Sequence, residues 1–192
     1  MSARLLAALQ NHARSLLQPR PAMTVREILK MGDPRLLRIA KPVEQFDTPE
    51  MKELIADMFE TMKHANGAGL AAPQIGLLRR LFVYQADDET GAVTVVNPEI
   101  LVAGEEKEVG EEGCLSLALL LDEGYHVPVE RSLRLTLRSQ DVAGTVTERE
   151  ISGYEARVVQ HELDHLDGVL ILDRATTEGR REAMRLLRGA LT

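Results

Sequence analysis

The stretch VVQHELDHLDG, residues 158–168, holds the side chains best suited to chemistry in this sequence. Its two histidines, His161 and His165, are four positions apart, and on an α-helix residues at this spacing point in the same direction. They can therefore share one cation through their ring nitrogens. Glu162 is rotated from His161 by about 100°, so it lies beside such a cation without binding it, where a general base for a water molecule is needed. The pattern favours a metal-hydrolase site over a charged helix that happens to carry histidines.

A catalytic metal site also needs a third protein ligand and one open position. Enzymes with the pattern HExxHxxGxxH use a third histidine, but that position is Ile171 here. Others use a glutamate on a later helix, which Glu178 or Glu182 could supply. The remaining candidate is the single cysteine, Cys114, because a thiolate beside two imidazoles suits zinc or ferrous iron. Spacing alone does not choose between cysteine and glutamate.

The HELDH motif needs a helix, and the flanking residues supply its ends. Ser152 and Glu155 match a capping box, in which the serine caps the helix and the glutamate reaches back to it. Gly168 is placed to end the same helix. The motif is therefore predicted on a helix of about thirteen residues.

Other helices are predicted on both sides of this one in the sequence. Residues 48–64 carry apolar side chains at helical spacing, with Thr48 as a cap and Pro49 in the first turn. A final helix is expected over 177–189. The segment 24–30 reads as a short helix or strand.

Strands are predicted from short apolar or alternating runs between the helices. Residues 141–144 form a hairpin-like connection, and the acidic run 104–113 reads as a solvated loop. This order of elements predicts an α+β fold, with antiparallel β-sheets packed around a central HExxH helix and with an N-terminal and a C-terminal helix. The predicted strands are 80–85, 92–98, 133–140 and 145–151.

Length and charge narrow the class of protein. A chain of 192 residues fits one domain with a single core. The formal charge of −7 argues against nucleic acid as the main ligand, and no apolar run approaches the roughly 18 residues of a membrane span. A lone cysteine forms no intrachain disulfide, which fits a reducing compartment.

The first 22 residues differ in composition from the remainder, since they contain arginines and no acidic residue. They resemble an organellar transit peptide, but they equally fit a short amphipathic helix or an over-extended start with Met23 as the true initiator. We therefore predict an N-terminal extension, 1–22, and a catalytic domain, 23–192.

Three separated segments resemble the signature motifs of peptide deformylases, in the order and at the separations typical of that family. They are GAGLAAPQIG at 67–76, EGCLS at 112–116 and ARVVQHELDHLDG at 156–168. The segment 25–43 also resembles the usual start of these enzymes, so the resemblance covers about residues 23–175. It implies an enzyme that removes the formyl group from N-formyl-L-methionine at the N-terminus of nascent polypeptides and releases formate.

The resemblance also implies a metal centre. Its ligands would be Cys114, His161 and His165, with Fe²⁺ as the usual ion and Zn²⁺, Ni²⁺ or Co²⁺ as substitutes. This implied set includes the cysteine, whereas the residue spacing left the glutamates open.

The same resemblance assigns the other site residues. Glu162 would be the proton shuttle. Gln74 and the backbone N–H of Leu115 would stabilise the oxyanion. Backbone groups near Ala68 and Gly69 would hold the substrate as an added strand.

The sequence departs from the family after the cysteine motif. Ala118 stands where the family usually has a proline, and several extra residues precede Arg131. The altered segment 117–130 is expected to form a flap over the substrate pocket or a longer edge strand. It leaves two alternatives to an ordinary deformylase, a paralogue of low activity and a non-catalytic ribosome-associated module, beside the endopeptidase that would use Glu182.

The implied partners are N-formylmethionyl nascent peptides, met at the ribosome exit. We expect no direct nucleic-acid binding, no membrane association and a monomer. The bacterial cytoplasm is the expected location, with an organelle as the alternative because of residues 1–22.

Overall fold

The computed structural model describes residues 24–87, 91–118 and 125–190. The predicted extension 1–22 lies outside these residues, and so does 119–124, which contains much of the altered segment. No helix among the described residues is long and apolar enough to cross a membrane.

Within these described ranges seven strands form two antiparallel sheets, which confirms the predicted mixture of antiparallel sheets and helices. The larger sheet has the order β1-β2-β3-β6-β7, and the smaller consists of β4 and β5. The strands are β1 (Gly69–Ala71), β2 (Leu81–Tyr84), β3 (Val93–Ala103), β4 (Lys107–Glu112), β5 (Val127–Ser132), β6 (Arg134–Gln140) and β7 (Val146–Ser152).

The helices include the three expected from the sequence and short turns beside the site. Thr48 caps the first long helix, since its Oγ1 accepts a hydrogen bond from the N–H of Met51 at 3.2 Å. The helices are α1 (Pro49–His64), α2 (Leu115–Ala118), α3 (Gly153–Leu166), α4 (Ile171–Arg174) and α5 (Thr177–Ala190), with 3-10 turns at Pro34–Leu37 and Ala72–Ile75.

The five-stranded sheet lies between α1 and α3, and β2 shows why. All four of its residues are buried, and successive side chains of a strand point to opposite faces. Leu81 and Val83 join the apolar cluster that includes α1, whereas Phe82 and Tyr84 join the cluster that includes α3. A third cluster, around Cys114, packs β5 against α4 and α5.

Three local predictions were wrong. The acidic run 104–113 contains β4, whose charged residues are exposed apart from the buried Glu112, while its backbone pairs with β5. The segment 24–30 is neither helix nor strand. Ser152 makes no side-chain cap, and the carboxylate of Glu155 accepts hydrogen bonds from the hydroxyl of Tyr84 at 2.5 Å and from Arg149 at 3.4 Å.

Candidate active site

Helix α3 and the loop after β4 bring three possible metal ligands together. His161 and His165 lie on α3, and Cys114 directly precedes α2. One ligand atom from each residue lies within 4.8 Å of those of the other two, and no other group of this kind occurs among the described residues. The Cys114 Sγ is 3.4 Å from His165 Nε2. The structure thus places the cysteine, forty-seven positions upstream, beside both imidazoles.

The electrostatics of this group suit a divalent cation. Burial would raise the pKa of the Cys114 thiol, but the charge of His165 and hydrogen bonds from both histidines outweigh it and hold that pKa well below its ordinary value. Burial would likewise lower the pKa of His161, yet its hydrogen bonds to Cys114 and Glu112 raise that pKa well above the usual range. Each shift favours the charged form of its group, and a bound cation would take the place of the proton between them.

Glu112, the last residue of β4, fixes the orientation of one imidazole. Its Oε2 lies 3.1 Å from His161 Nδ1, so the ring donates there and directs Nε2 towards the sulfur. Arg131 donates twice to this carboxylate, each time at 3.0 Å, and Arg157 donates once at 2.8 Å. Burial raises the pKa of Glu112, but the hydrogen bonds from His161 and Arg131 lower it to about 2. The carboxylate stays charged.

The charged network continues beneath the helix. Asp164 accepts from Arg131 at 2.6 Å and from Arg174 at 2.9 Å, so it extends the network from Glu112 to a second carboxylate. It does not orient His165, whose Nδ1 has no hydrogen-bond partner within the described part of the chain. Arg157 donates a hydrogen bond to the other carboxylate, that of Glu112.

Glu162 occupies the opposite kind of environment. The residue is 4% exposed, and its Oε2 has no hydrogen-bond partner among the described residues. Burial raises the pKa of Glu162 to about 7, against the opposing charges of His161 and His165. The carboxyl packs against β1 so closely that a Cβ at Gly69 would overlap it. The close packing explains why glycine is needed there.

Gln74 is held in place by its own carbonyl oxygen. Its Oε1 accepts from the N–H of Ala71 at 2.9 Å, which leaves Nε2 as the donor end. Nε2 is 3.3 Å from the hydroxyl of Ser116. Gln74 and Leu115 both line the cavity that contains the metal-ligand candidates. The amide therefore presents donors to a ligand in that cavity.

The cavity measures about 770 Å³ and contains most of the predicted site residues, including Ala68, Gly69 and Glu162. His165 is not among its lining residues. Several lining side chains were given no individual role from the sequence, because only the tertiary fold brings them to the cavity, although two of them lie in the segment 117–130, where a flap over the pocket was expected. They are Val25, Arg26, Glu27, Ile28, Lys30, His64, Asn66, Tyr125, His126 and Tyr154.

Glu182, the alternative third ligand, lies elsewhere. It belongs to α5, its side chain is 51% exposed, and it pairs with Arg185 at 2.6 Å. The group of possible ligands contains Cys114 in its place. The endopeptidase hypothesis, which needed this glutamate at the metal, was therefore wrong.

Antiparallel sheets, a helix carrying HELDH and a buried cysteine–histidine group define a hydrolase with a site able to hold a metal ion. The model of the polypeptide deformylase family matches residues 25–181. The chain belongs to the polypeptide deformylase family, and it is an enzyme.

Individual relatives agree with this assignment. The peptide deformylase of Thermotoga neapolitana is 52% identical over 143 residues, covering 74% of this chain and 82% of the relative. That of Dictyoglomus thermophilum is 49% identical over 155 residues, covering 80% and 95%. The crystal structure of the Thermus thermophilus enzyme superposes with a TM-score of 0.78 at 43% identity, covering 87% of this chain and 95% of that one.

Proposed function

We propose that this enzyme removes the formyl group from N-formyl-L-methionine at the start of nascent polypeptides and releases formate. The observation that carries the proposal is the convergence of the Cys114, His161 and His165 ligand atoms with the unpartnered carboxyl oxygen of Glu162. All but His165 line one cavity large enough for a short peptide.

We further propose that Cys114, His161 and His165 hold Fe²⁺, with Zn²⁺, Ni²⁺ or Co²⁺ as substitutes. One soft thiolate with two imidazoles suits these ions better than magnesium or calcium, which prefer oxygen. The ion would supply Lewis-acid polarisation and a lower pKa for water. Glu112 keeps the His161 ring turned towards this position through the Nδ1 hydrogen bond.

Glu162 is the proposed proton shuttle. Its Oε2 is free to accept a proton from the attacking water and then to deliver it to the amine of the departing methionine. A pKa of about 7, caused mainly by burial, lets the carboxyl exist in both protonation states near neutral pH. A general acid–base group works best when its pKa lies near the working pH.

Gln74 and the backbone N–H of Leu115 are the proposed oxyanion donors. The Gln74 amide is 1% exposed and is oriented by the N–H of Ala71 before any substrate arrives. A donor that is fixed beforehand stabilises the developing negative charge without reorganisation, and losing one typically costs about 3–4 kcal/mol of barrier.

Ala68 and Gly69 are the proposed substrate-binding residues. β1 is the first strand of the five-stranded sheet, and among the described residues it pairs only with β2. Its outer edge can therefore accept an extended peptide through backbone hydrogen bonds. The absence of a side chain at Gly69 also leaves room for Glu162 beside that peptide.

The cellular setting follows from this substrate. We propose that the enzyme acts as a monomer on peptides emerging from the ribosome, in a bacterial cytoplasm, with an organelle as the alternative. The match to the family begins at residue 25, which supports 23–192 as the catalytic domain and 1–22 as an extension. Bacterial relatives such as those named above support the location.

Formate release from formyl-Met-Ala-Ser tests the proposal, with ferrous iron supplied anaerobically. We expect stoichiometric formate and a free methionine amine from the wild-type enzyme, and neither from the Cys114→Ala variant. A wild-type enzyme that binds iron but releases no formate would contradict the proposed activity. Slow release at saturating iron would instead identify a paralogue of low activity.

A further inference from the structure

Residues 24–31, here called the strap, cross three elements of the site without forming a helix or strand. The N–H of Leu29 donates to the backbone carbonyl of Gln74 at 2.7 Å, and the N–H of Met31 donates to that of Ser116 at 2.9 Å. The strap is therefore tied at one end to Gln74, a proposed oxyanion donor, and to the residue after Leu115, the other proposed donor.

The other end of the strap is tied to α1 by a buried acid. Asp57 is 2% exposed. Its carboxylate accepts from the N–H of Thr24 at 2.8 Å and from Arg26 Nε at 2.8 Å, and it pairs with Arg26 Nη2 at 2.6 Å. Thr61 adds a further link, since its hydroxyl accepts from the N–H of Arg26 at 2.9 Å.

All hydrogen-bond partners of the Asp57 side chain belong to the strap, within the part of the chain that the structure describes. A buried carboxylate costs free energy unless it is paired and hydrogen-bonded. If packing of α1 were the only requirement, an apolar residue at this position would satisfy it. The hydrogen bonds that Asp57 accepts from the strap explain why position 57 carries an acid.

The strap forms one wall of the substrate cavity. Asp57 itself does not line that cavity, whereas Thr61 and His64 of α1 do. The cavity lining thus combines Gln74, the strap and the last turns of α1. The strap side chains that line the cavity are Val25, Arg26, Glu27, Ile28 and Lys30.

We propose that Asp57 is a positioning residue that, with Arg26, latches the strap as the binding wall for substrate residues beyond the formylmethionine. The inference rests on the proposed function. It gives the enzyme a preference for longer formyl peptides that is set by a residue outside the cavity. The ligand class is an extended peptide, and the chemistry at the formyl group is unchanged.

The test compares two substrates with Asp57→Asn, which keeps the side-chain volume and removes the charge. For formyl-Met-Ala-Ser-Thr-Ala we expect KM to rise about tenfold, because a charge-assisted buried contact is lost. For formyl-Met-Ala we expect KM to change less than about twofold, with kcat preserved for both. A purely structural defect would instead lower the active fraction equally for both peptides.

Lys52→Gln is the matched control on the same helix. Lys52 pairs with Asp47 at 2.6 Å, but both side chains are more than half exposed, so we expect unchanged KM values. Arg26→Gln breaks the latch from the strap side. It should give the same substrate-dependent rise, and the double variant should add little to either single one. If Asp57→Asn fails to fold, Arg26→Gln decides the outcome.

Equal KM changes for the two peptides in Asp57→Asn and Arg26→Gln would overturn the latch while leaving the proposed function intact. A wild-type enzyme that releases no formate from either peptide would overturn both, so the two failures are distinguishable. Thermal unfolding of each variant, measured alongside, separates loss of fold from loss of positioning.

Discussion

Two buried carboxyl groups flank His161, and they differ in almost everything except burial. Glu112 is 6% exposed and Glu162 is 4% exposed. Burial raises the pKa of both, yet hydrogen bonds from His161 and Arg131 bring that of Glu112 down to about 2, while that of Glu162 rises to about 7. The contrast shows that partners, and not depth, decide whether a buried acid stays charged.

The difference between the two pKa values originates in the residues that lie opposite each carboxyl group. Glu112 ends β4, and the paired strand β5 supplies Arg131. Glu162 faces β1 at Gly69, where no side chain can offer a donor. A permanently charged carboxylate can hold a metal ligand in place, whereas one with a pKa near neutrality can exchange a proton. Glu112 is thus suited to positioning a metal ligand, and Glu162 is suited to proton transfer.

The largest effect is expected from replacing the proton-exchanging acid. Glu162→Gln keeps the shape but cannot accept a proton, so kcat for formyl-Met-Ala-Ser should fall by about 10²–10⁴-fold. Metal content, measured by elemental analysis, should remain that of the wild type. A fall in kcat below about tenfold would remove Glu162 from the proton-shuttle role.

Replacing the charged acid should damage stability first. Glu112→Gln leaves Arg131 and Arg157 without their shared buried counter-charge, and breaking such a pair costs about 3–5 kcal/mol. Denaturant unfolding of the metal-free protein measures this loss. Glu130→Gln is the control, because its pair with Lys107 is 3.6 Å long and more than half exposed. Equal stability of the two variants would contradict the role assigned to the network.

The raised pKa of Glu162 predicts a pH dependence of stability in the metal-free enzyme. The folded protein holds this proton more tightly than the unfolded chain does, so the contribution is fully present below pH 4.5. It is lost as the pH rises through about 7. Wild type should therefore lose stability relative to Glu162→Gln over this range, by about 3 kcal/mol at most. A difference that does not vary between pH 4 and 8, measured by urea unfolding, would contradict the raised pKa.

The smallest loss of stability is expected at Arg174, on the solvent-exposed side of the charged network around Arg131. Arg174 pairs with Asp164 at 2.9 Å, but its side chain is 51% exposed. Water and salt screen such a pair, so Arg174→Gln should cost no more than about 1 kcal/mol. Thermal unfolding measures it. A loss as large as that of Glu112→Gln would mean that the network acts as one unit up to the surface.

Prediction from the sequence succeeded where patterns are local. α1 was predicted from apolar residues at helical spacing, and β2 from a short apolar run. Both patterns can be read from neighbouring residues without knowledge of the tertiary fold. β4 was missed because all its charged residues except Glu112 remain exposed even in the sheet. The capping box failed because Tyr84, seventy-one positions away, provides Glu155 with a buried partner.

Individual site residues could be predicted from the sequence, but their arrangement in space could not. Helical spacing placed His161 and His165 on one face, but spacing could not choose Cys114 over a glutamate. Only the packing of the loop after β4 against α3 brings the sulfur to the imidazoles. The latch at Asp57 had no local signal, because its partners lie more than thirty positions away.

X-ray absorption at the zinc edge of the zinc-loaded enzyme tests the central claim, that Cys114 and two histidines bind one divalent cation. We expect one sulfur at about 2.3 Å and two imidazole nitrogens at about 2.0–2.1 Å, with the sulfur contribution lost in Cys114→Ser. A wild-type spectrum with nitrogen and oxygen ligands but no sulfur would contradict it.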